Sequence, residues 1–204
     1  MFYVLVFSAS LVLSTLLTLI VKKLALSWKI VDCPDKNGVG GRKIHQRPTP
    51  LLGGLAIFVT YFSLLFLFKD YFLAGDLTWS HLIAFFLGGA IIVIGGVLDD
   101  KYNLPPRQQI IFPILAIIAL LIGGVGIAKL TNPFGGFIDL SSGVVLSAGL
   151  IIVWLLGMMY TTKLLDGVDG LVSGVGAIGA VVIFLFTLTT RYYQPDIAFA
   201  AILL

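Results

Sequence analysis

Six stretches of this chain are almost wholly apolar, at about residues 2–21, 51–68, 82–98, 108–128, 143–162 and 171–190. A run of roughly 20 such residues can cross the hydrocarbon core of a bilayer as a helix, and the pattern predicts a helix in each. A seventh run begins near Ile197 and stops at Leu204, too short to cross. The expected architecture is an all-α, polytopic membrane helix bundle of six full spans and an incomplete seventh. On this reading the chain is the front part of a longer protein.

Composition supports a bilayer as the solvent. Of 204 residues, 59% are hydrophobic and 11% charged, whereas a soluble domain carries about 25% charged residues. A short soluble chain still needs a large polar surface. The 23 glycines suit close helix–helix approach in a membrane. The first apolar run is read as a true span. It lacks the basic flank and cleavage site of a signal peptide, and Lys22 and Lys23 follow it.

The basic residues orient the chain. Lys22, Lys23, Lys29, Lys36, Arg42, Lys43, Arg47, Lys101, Arg107 and Lys163 fall on one side, against Lys69, Lys129 and Arg191 on the other. The richer side is expected to be cytoplasmic and the N-terminus outside. No Asp, Lys or Arg falls within the apolar runs, where each would cost about 2.5–3.5 kcal/mol at a helix centre. A transporter or channel usually carries such residues at mid-membrane, so the polar chemistry is expected at the cytoplasmic face. The single cysteine, Cys33, excludes an intrachain disulfide. With two histidines in the chain, a structural zinc site is not expected.

All ten acidic residues are Asp, a type that favours caps and turns. Asp99 and Asp100 end the third run, in GGVLDDKYN. A solvated helix end would explain them, except that a helix C-terminus disfavours anions. A divalent cation or a proton-transfer task would explain them better. In KLLDGVDGLVSG, 163–174, Asp169 suits the N-cap of the sixth span, and Lys163 is placed to pair with Asp166 three residues on. The loop DCPDKNGVGGRKIHQRPTP, 32–50, holds three prolines and three glycines and is expected to be irregular. Its Arg42, Lys43, His45 and Arg47 are either a positive-inside flank or a phosphate clamp. Its GVGG lacks the strand–loop–helix setting of a phosphate loop. The outer loop TNPFGGFIDLSSG, 131–143, is read as a short hairpin. Together the inner segments hold the equipment for Mg²⁺-assisted phosphate chemistry.

The segments RKIHQRPTPLLGGLAIF, GVLDDKYNL and LLDGVDGLVSGV, in this order, resemble the polyprenyl-phosphate N-acetylhexosamine-1-phosphate transferases. The bacterial undecaprenyl-phosphate N-acetylglucosamine-1-phosphate transferases are the nearer branch. The resemblance implies a single transmembrane catalytic domain over 1–204, the N-terminal part of a longer fold in the plasma membrane. It implies transfer of an N-acetylhexosamine-1-phosphate, GlcNAc-1-phosphate on the nearer branch, from a UDP-N-acetylhexosamine to undecaprenyl phosphate with release of UMP, a step in cell-wall or surface-polysaccharide biosynthesis. Mg²⁺ or Mn²⁺ is the implied cofactor. Asp99, Asp100, Asp166 and Asp169 are the implied catalytic residues, with Asp99 and Asp100 also the metal ligands. Lys43, His45, Arg47, Thr49 and Lys163 are the implied substrate-binding residues. No nucleic-acid partner is expected, and a homodimer is left open.

Two departures stand out. The family often has Asn three and six residues before the Asp166 position, where this chain has Lys163 and Tyr160. Beyond DDKYNL the family often has Lys and then Gln; here Gln109 and Pro113 stand, with Arg107 as the replacement base. The family's later Gly-Asp motif and His-containing loop do not occur in these 204 residues, so the fragment alone is expected to be inactive. The alternatives are a phospho-N-acetylmuramoyl-pentapeptide transferase, a transporter or channel, and a non-catalytic membrane scaffold.

Overall fold

The computed structural model describes residues 1–32, 48–73, 77–132, 134–140, 143–168, 170–189 and 194–203. In chain order the elements are α1 (Phe2–Ser27), β1 (Val31–Asp32), β2 (Thr49–Pro50), α2 (Gly53–Leu67), α3 (Lys69–Phe72), α4 (Trp79–Tyr102), α5 (Pro106–Gln109), α6 (Ile111–Ile122), β3 (Lys129–Thr131), β4 (Phe137–Asp139), α7 (Val144–Leu165), α8 (Leu171–Thr189) and α9 (Pro195–Ile202). Each of the six apolar runs thus carries a helix.

Of the six expected spans, α1, α4, α7 and α8 are long and apolar enough to cross a membrane. The other two are shorter, with 15 residues in α2 and 12 in α6. At 1.5 Å per residue they reach about 22 Å and 18 Å, less than a hydrocarbon core of about 30 Å. Both are shortened for local reasons. Phe68 leaves helical geometry at φ −108°, ψ 31°, where the polar pair Lys69 and Asp70 begins. Pro113 has no N–H to give the Gln109 carbonyl, so the helix restarts at Ile111 and places the proline in its first turn, where it is tolerated. The incomplete seventh run is α9, of eight residues.

Two clusters of buried side chains fix how the helices alternate. At one end Val6 of α1 meets Leu64 and Leu65 of α2, Phe72, Leu82 of α4, and Phe199 and Leu203 at α9. At the other end Val21 and Ala25 of α1 meet Leu52 and Ala56 at the start of α2, with Val97 of α4 against them. So α1, α2 and α4 run alternately up and down. Helix α6 returns antiparallel to α4: Gly95 faces Phe112, Gly88 faces Ala116 and Leu120, and Ala84 faces Gly123. A side chain on Gly95 would run into the Phe112 ring, so the close approach requires glycine there. The Ser147 hydroxyl bonds to the N–H and carbonyl of Ile127, each at 3.0 Å, and ties the start of α7 to the far end of α6. Phe184 of α8 stacks edge-on against Tyr3. This strings successive loops alternately along the two ends of the bundle.

Two small antiparallel hairpins close the loops. Asp32 pairs with Thr49 and Val31 with Pro50. The second hairpin spans 129–139, starting two residues before the 131–143 segment read from sequence, with Lys129 opposite Asp139 and Thr131 opposite Phe137. Large apolar side chains on α1, α7 and α8 remain exposed, among them Leu16, Leu19, Val153, Trp154, Val182 and Phe186, as expected of lipid-facing surfaces.

Candidate functional site

The end of α4 sets the site. Thr78 and His81 form a capping box at its start, and Asn103 stops it in the left-handed conformation at φ 49°, its N–H bonded to the Asp99 carbonyl at 2.7 Å. Asn is among the few residues that accept this geometry at low cost. Leu104, Pro105 and Pro106 then prevent continuation. Asp99 and Asp100 therefore sit in the last turn, about 100° apart around the axis.

The objection to anions at a helix C-terminus is met at Asp99 by three donors. Oδ1 accepts the Leu104 N–H at 3.1 Å and the Gln109 Nε2–H at 2.8 Å. Oδ2 lies 3.4 Å from the Lys163 ammonium. Gln109 is held on three sides: its amide nitrogen also donates to the Leu104 carbonyl at 2.8 Å, and its oxygen accepts from Lys163 at 2.6 Å. The reverse amide orientation would set oxygen against two acceptors and NH₂ against an ammonium, so the arrangement has one satisfactory polarity. Four residues from three helices are thereby joined: Asp99 from α4, Gln109 from α5, Lys163 from α7, and Leu104 from the link between α4 and α5.

Asp100 is half-buried beside them. Its charge is opposed by Asp99 and Asp166 and attracted by Lys163. Among the described residues no hydrogen bond is made by the Asp100 carboxylate, so it remains the freer of the pair. Asp166 is the C-cap of α7, at ψ 29°, exposed on the same side. The expected pairing of Lys163 with Asp166 is replaced by the ion pair with Asp99. The reason is that Asp166 has already left the helical path, and i,i+3 neighbours meet only while the helix continues. Gly170, at φ +78°, supplies the turn that follows.

An open cleft of about 330 Å³ runs from this network between α4, α6 and α7. Its walls are Ile92, Gly95, Gly96, Phe112, Pro113 and Met159, and its polar mouth is Asp99, Gln109, Thr162 and Lys163. The cleft is thus apolar along its length and charged at one end.

Of the residues named from sequence, Asp99, Asp100, Lys163 and Asp166 come together. Thr49 lies at the same end, in the hairpin opposite Asp32. Lys43, His45, Arg47 and Asp169 lie outside the described residues, as does Cys33. Among the described residues no group of three or more His, Cys, Asp or Glu is arranged to hold a metal. In the sequence Gln109 stands out only as a departure from the family pattern; its role comes from the Pro105–Pro106 step, which folds it back over the end of α4.

The fold and the site define a polytopic helical membrane protein with a charged cluster at one end of the bundle, at the mouth of an apolar cleft. Residues 82–204 match the model of glycosyl transferase family 4, and the chain belongs to that family. It is 28% identical over 186 residues to a probable undecaprenyl-phosphate N-acetylglucosaminyl 1-phosphate transferase of Bacillus subtilis, covering 91% of this chain and 48% of the relative. It is 30% identical over 170 residues to the decaprenyl-phosphate N-acetylglucosaminephosphotransferase of Mycobacterium tuberculosis H37Rv, covering 76% and 41%. The undecaprenyl-phosphate alpha-N-acetylglucosaminyl 1-phosphate transferase of Salmonella typhi is 23% identical over 178 residues, covering 81% and 41%. The chain spans about half the length of the curated relatives it matches. No solved structure matches it.

Proposed function

We propose that this protein transfers N-acetylglucosamine-1-phosphate from a UDP-sugar to a polyprenyl phosphate, undecaprenyl phosphate in the bacterial case, and releases UMP at the cytoplasmic face of the plasma membrane. The observation that carries the proposal is the joining of a charged cluster from α4, α5 and α7 to an apolar cleft at one end of the bundle. A substrate that is half lipid and half phosphate needs such a junction; a wholly soluble or wholly apolar one does not. The names of the relatives support the sugar and the lipid class.

In the proposed reaction an acceptor phosphate oxygen attacks the β-phosphorus of the UDP-sugar. The bond from that phosphorus to the oxygen bridging it to the α-phosphate breaks, and UMP leaves with that oxygen. Little covalent chemistry is required, so positioning and charge stabilisation supply most of the rate. The cleft would align the lipid so that its phosphate meets the charged mouth. Lys163 brings a positive charge to that mouth, and Asp100 and Asp166 bring oxygens without competing partners among the described residues.

A divalent cation fits this donor set. Carboxylate oxygens suit Mg²⁺ or Mn²⁺, and Mg²⁺ is commonly held by one or two carboxylates plus substrate phosphates. Asp100 and Asp166 would hold it, and it would supply charge neutralisation at the diphosphate. The remaining steps belong to the protein's own groups, which orient the two phosphates and shield them from water.

UMP release from UDP-GlcNAc and undecaprenyl phosphate, measured in membranes containing the full-length protein, tests the proposal. Asp100→Asn is expected to lower kcat by roughly a hundredfold or more. Equal rates for the wild type and Asp100→Asn would remove Asp100 from the chemistry. Turnover of UDP-N-acetylmuramoyl-pentapeptide in place of UDP-GlcNAc would favour the muramoyl-pentapeptide reading.

A further inference from the structure

Helix α7 is secured by polar contacts at its two ends. Along its 22 residues the buried positions are Ser147 and Ile151, both near its start. At that end the Ser147 hydroxyl grips Ile127. Its last turns expose Trp154, Met158 and Leu164, and there Lys163 makes the contact, with Asp99 at 3.4 Å and Gln109 at 2.6 Å. Asp166 follows one turn later and inherits its place from that contact.

The same contact changes what Asp99 can do. Its Oδ1 has two donors and its Oδ2 has the ammonium. A cation approaching Asp99 must displace a lysine charge that is already there. Asp100 feels the same ammonium only at a distance, and among the described residues neither Asp100 nor Asp166 makes a direct ion pair or side-chain hydrogen bond, whereas Asp99 does. From this arrangement we infer that Lys163 is a positioning residue: bound to Asp99 and Gln109, it fixes the end of α7 against α4 and leaves Asp100 and Asp166, not Asp99, as the carboxylates offered to a divalent cation. The inference rests on the reading above that the site takes such a cation. It assigns the lysine, where the family pattern has Asn, the task of occupying one carboxylate of the pair from within the protein.

Mn²⁺ titration of the purified full-length protein in detergent, followed by electron paramagnetic resonance without nucleotide, tests the inference. Because Gln109 still holds Lys163 in Asp99→Asn, that variant is expected to keep Mn²⁺ affinity within about twofold of the wild type, whereas Asp100→Asn and Asp166→Asn each weaken it by about tenfold or more. In a Lys163→Met background Asp99 is released, and Asp99→Asn should then weaken Mn²⁺ binding. Lys163→Arg should restore the wild-type insensitivity, which a purely steric role for the side chain would not predict. Loss of Mn²⁺ affinity in Asp99→Asn equal to that in Asp100→Asn would overturn the inference, as would absence of Mn²⁺ binding by the wild type. Should Lys163→Met fail to fold, the comparison of Asp99→Asn with Asp100→Asn in the wild type decides alone. The expected Mn²⁺ pattern without UMP release would sink the transferase reading and leave the positioning role standing.

Discussion

At the scale of single residues, Gln109 shows how a neutral side chain can determine the state of a charged one. It donates to Asp99 and Leu104 and accepts from Lys163, so its two ends tell the anion from the cation. Gln109→Glu would set a carboxylate against the Asp99 oxygen and the Leu104 carbonyl, with Lys163 as the single compensating partner. Gln109→Ala would leave those groups to water at this partly exposed site. Both should destabilise the fold, the first more than the second, with losses on the order of 1 kcal/mol for the alanine variant. Chemical denaturation in detergent checks the order, and a less stable alanine variant would contradict the polarity assigned to the amide. The acidic residues of this network were legible in sequence, because paired Asp at the C-terminal end of an apolar run conflicts with the helix dipole. Gln109 was not. Nothing in its type or spacing announces that a Pro-Pro step will turn it back toward Asp99, ten positions away.

At the scale of the element, the contact of α4 with α6 depends on which glycine faces inward. Gly95 and Gly96 are neighbours, yet an added Cβ at Gly95 meets the Phe112 ring while one at Gly96 meets nothing within 4 Å. Gly95→Ala should therefore cost about 1–3 kcal/mol through overpacking. Gly96→Ala should be neutral or stabilising, because alanine loses less backbone entropy in a helix. A smaller side chain at position 112 should partly rescue Gly95→Ala, a non-additivity expected of residues in contact. Thermal unfolding of the two single variants and the double variant with Phe112→Ala measures this; equal effects at 95 and 96 would refute the assigned helix face. Helix existence was legible from apolar run length, since a chain in lipid has few other ways to satisfy its backbone. Helix length was less so. The runs at 51–68 and 108–128 are as apolar as the rest, but Phe68 and Pro113 end or restart the hydrogen-bond ladder inside them. Hydropathy averages over such single breaks.

At the scale of the whole molecule, the alternation of helices commits each loop to one end of the bundle, and that commitment is open to direct test. The chain from Val97 to Leu104 and the α7–α8 turn around Val168 share an end with the β1–β2 hairpin, as the contacts of Val97 with the Leu52 cluster and of Lys163 with Asp99 require. The β3–β4 hairpin lies at the other end, where Ser147 meets Ile127. The distribution of basic residues, ten against three, predicts that the first end is cytoplasmic. In a variant with Cys33→Ser, a cysteine at Val168 or Lys101 should react with a membrane-impermeant maleimide only in inside-out vesicles. A cysteine at Phe134, on the β3–β4 hairpin and almost fully exposed at 97%, should react from the outside of intact cells. Reaction of positions 101 and 168 from opposite sides would break the parallel run of α4 and α7, whose C-terminal ends meet at Asp99 and Lys163, and separate Asp100 from Asp166. Reaction of both from outside would preserve the cluster but invert it, placing the charged mouth of the cleft away from a cytoplasmic nucleotide-sugar. The two failures are distinct: the first removes the site, and the second removes the proposed donor.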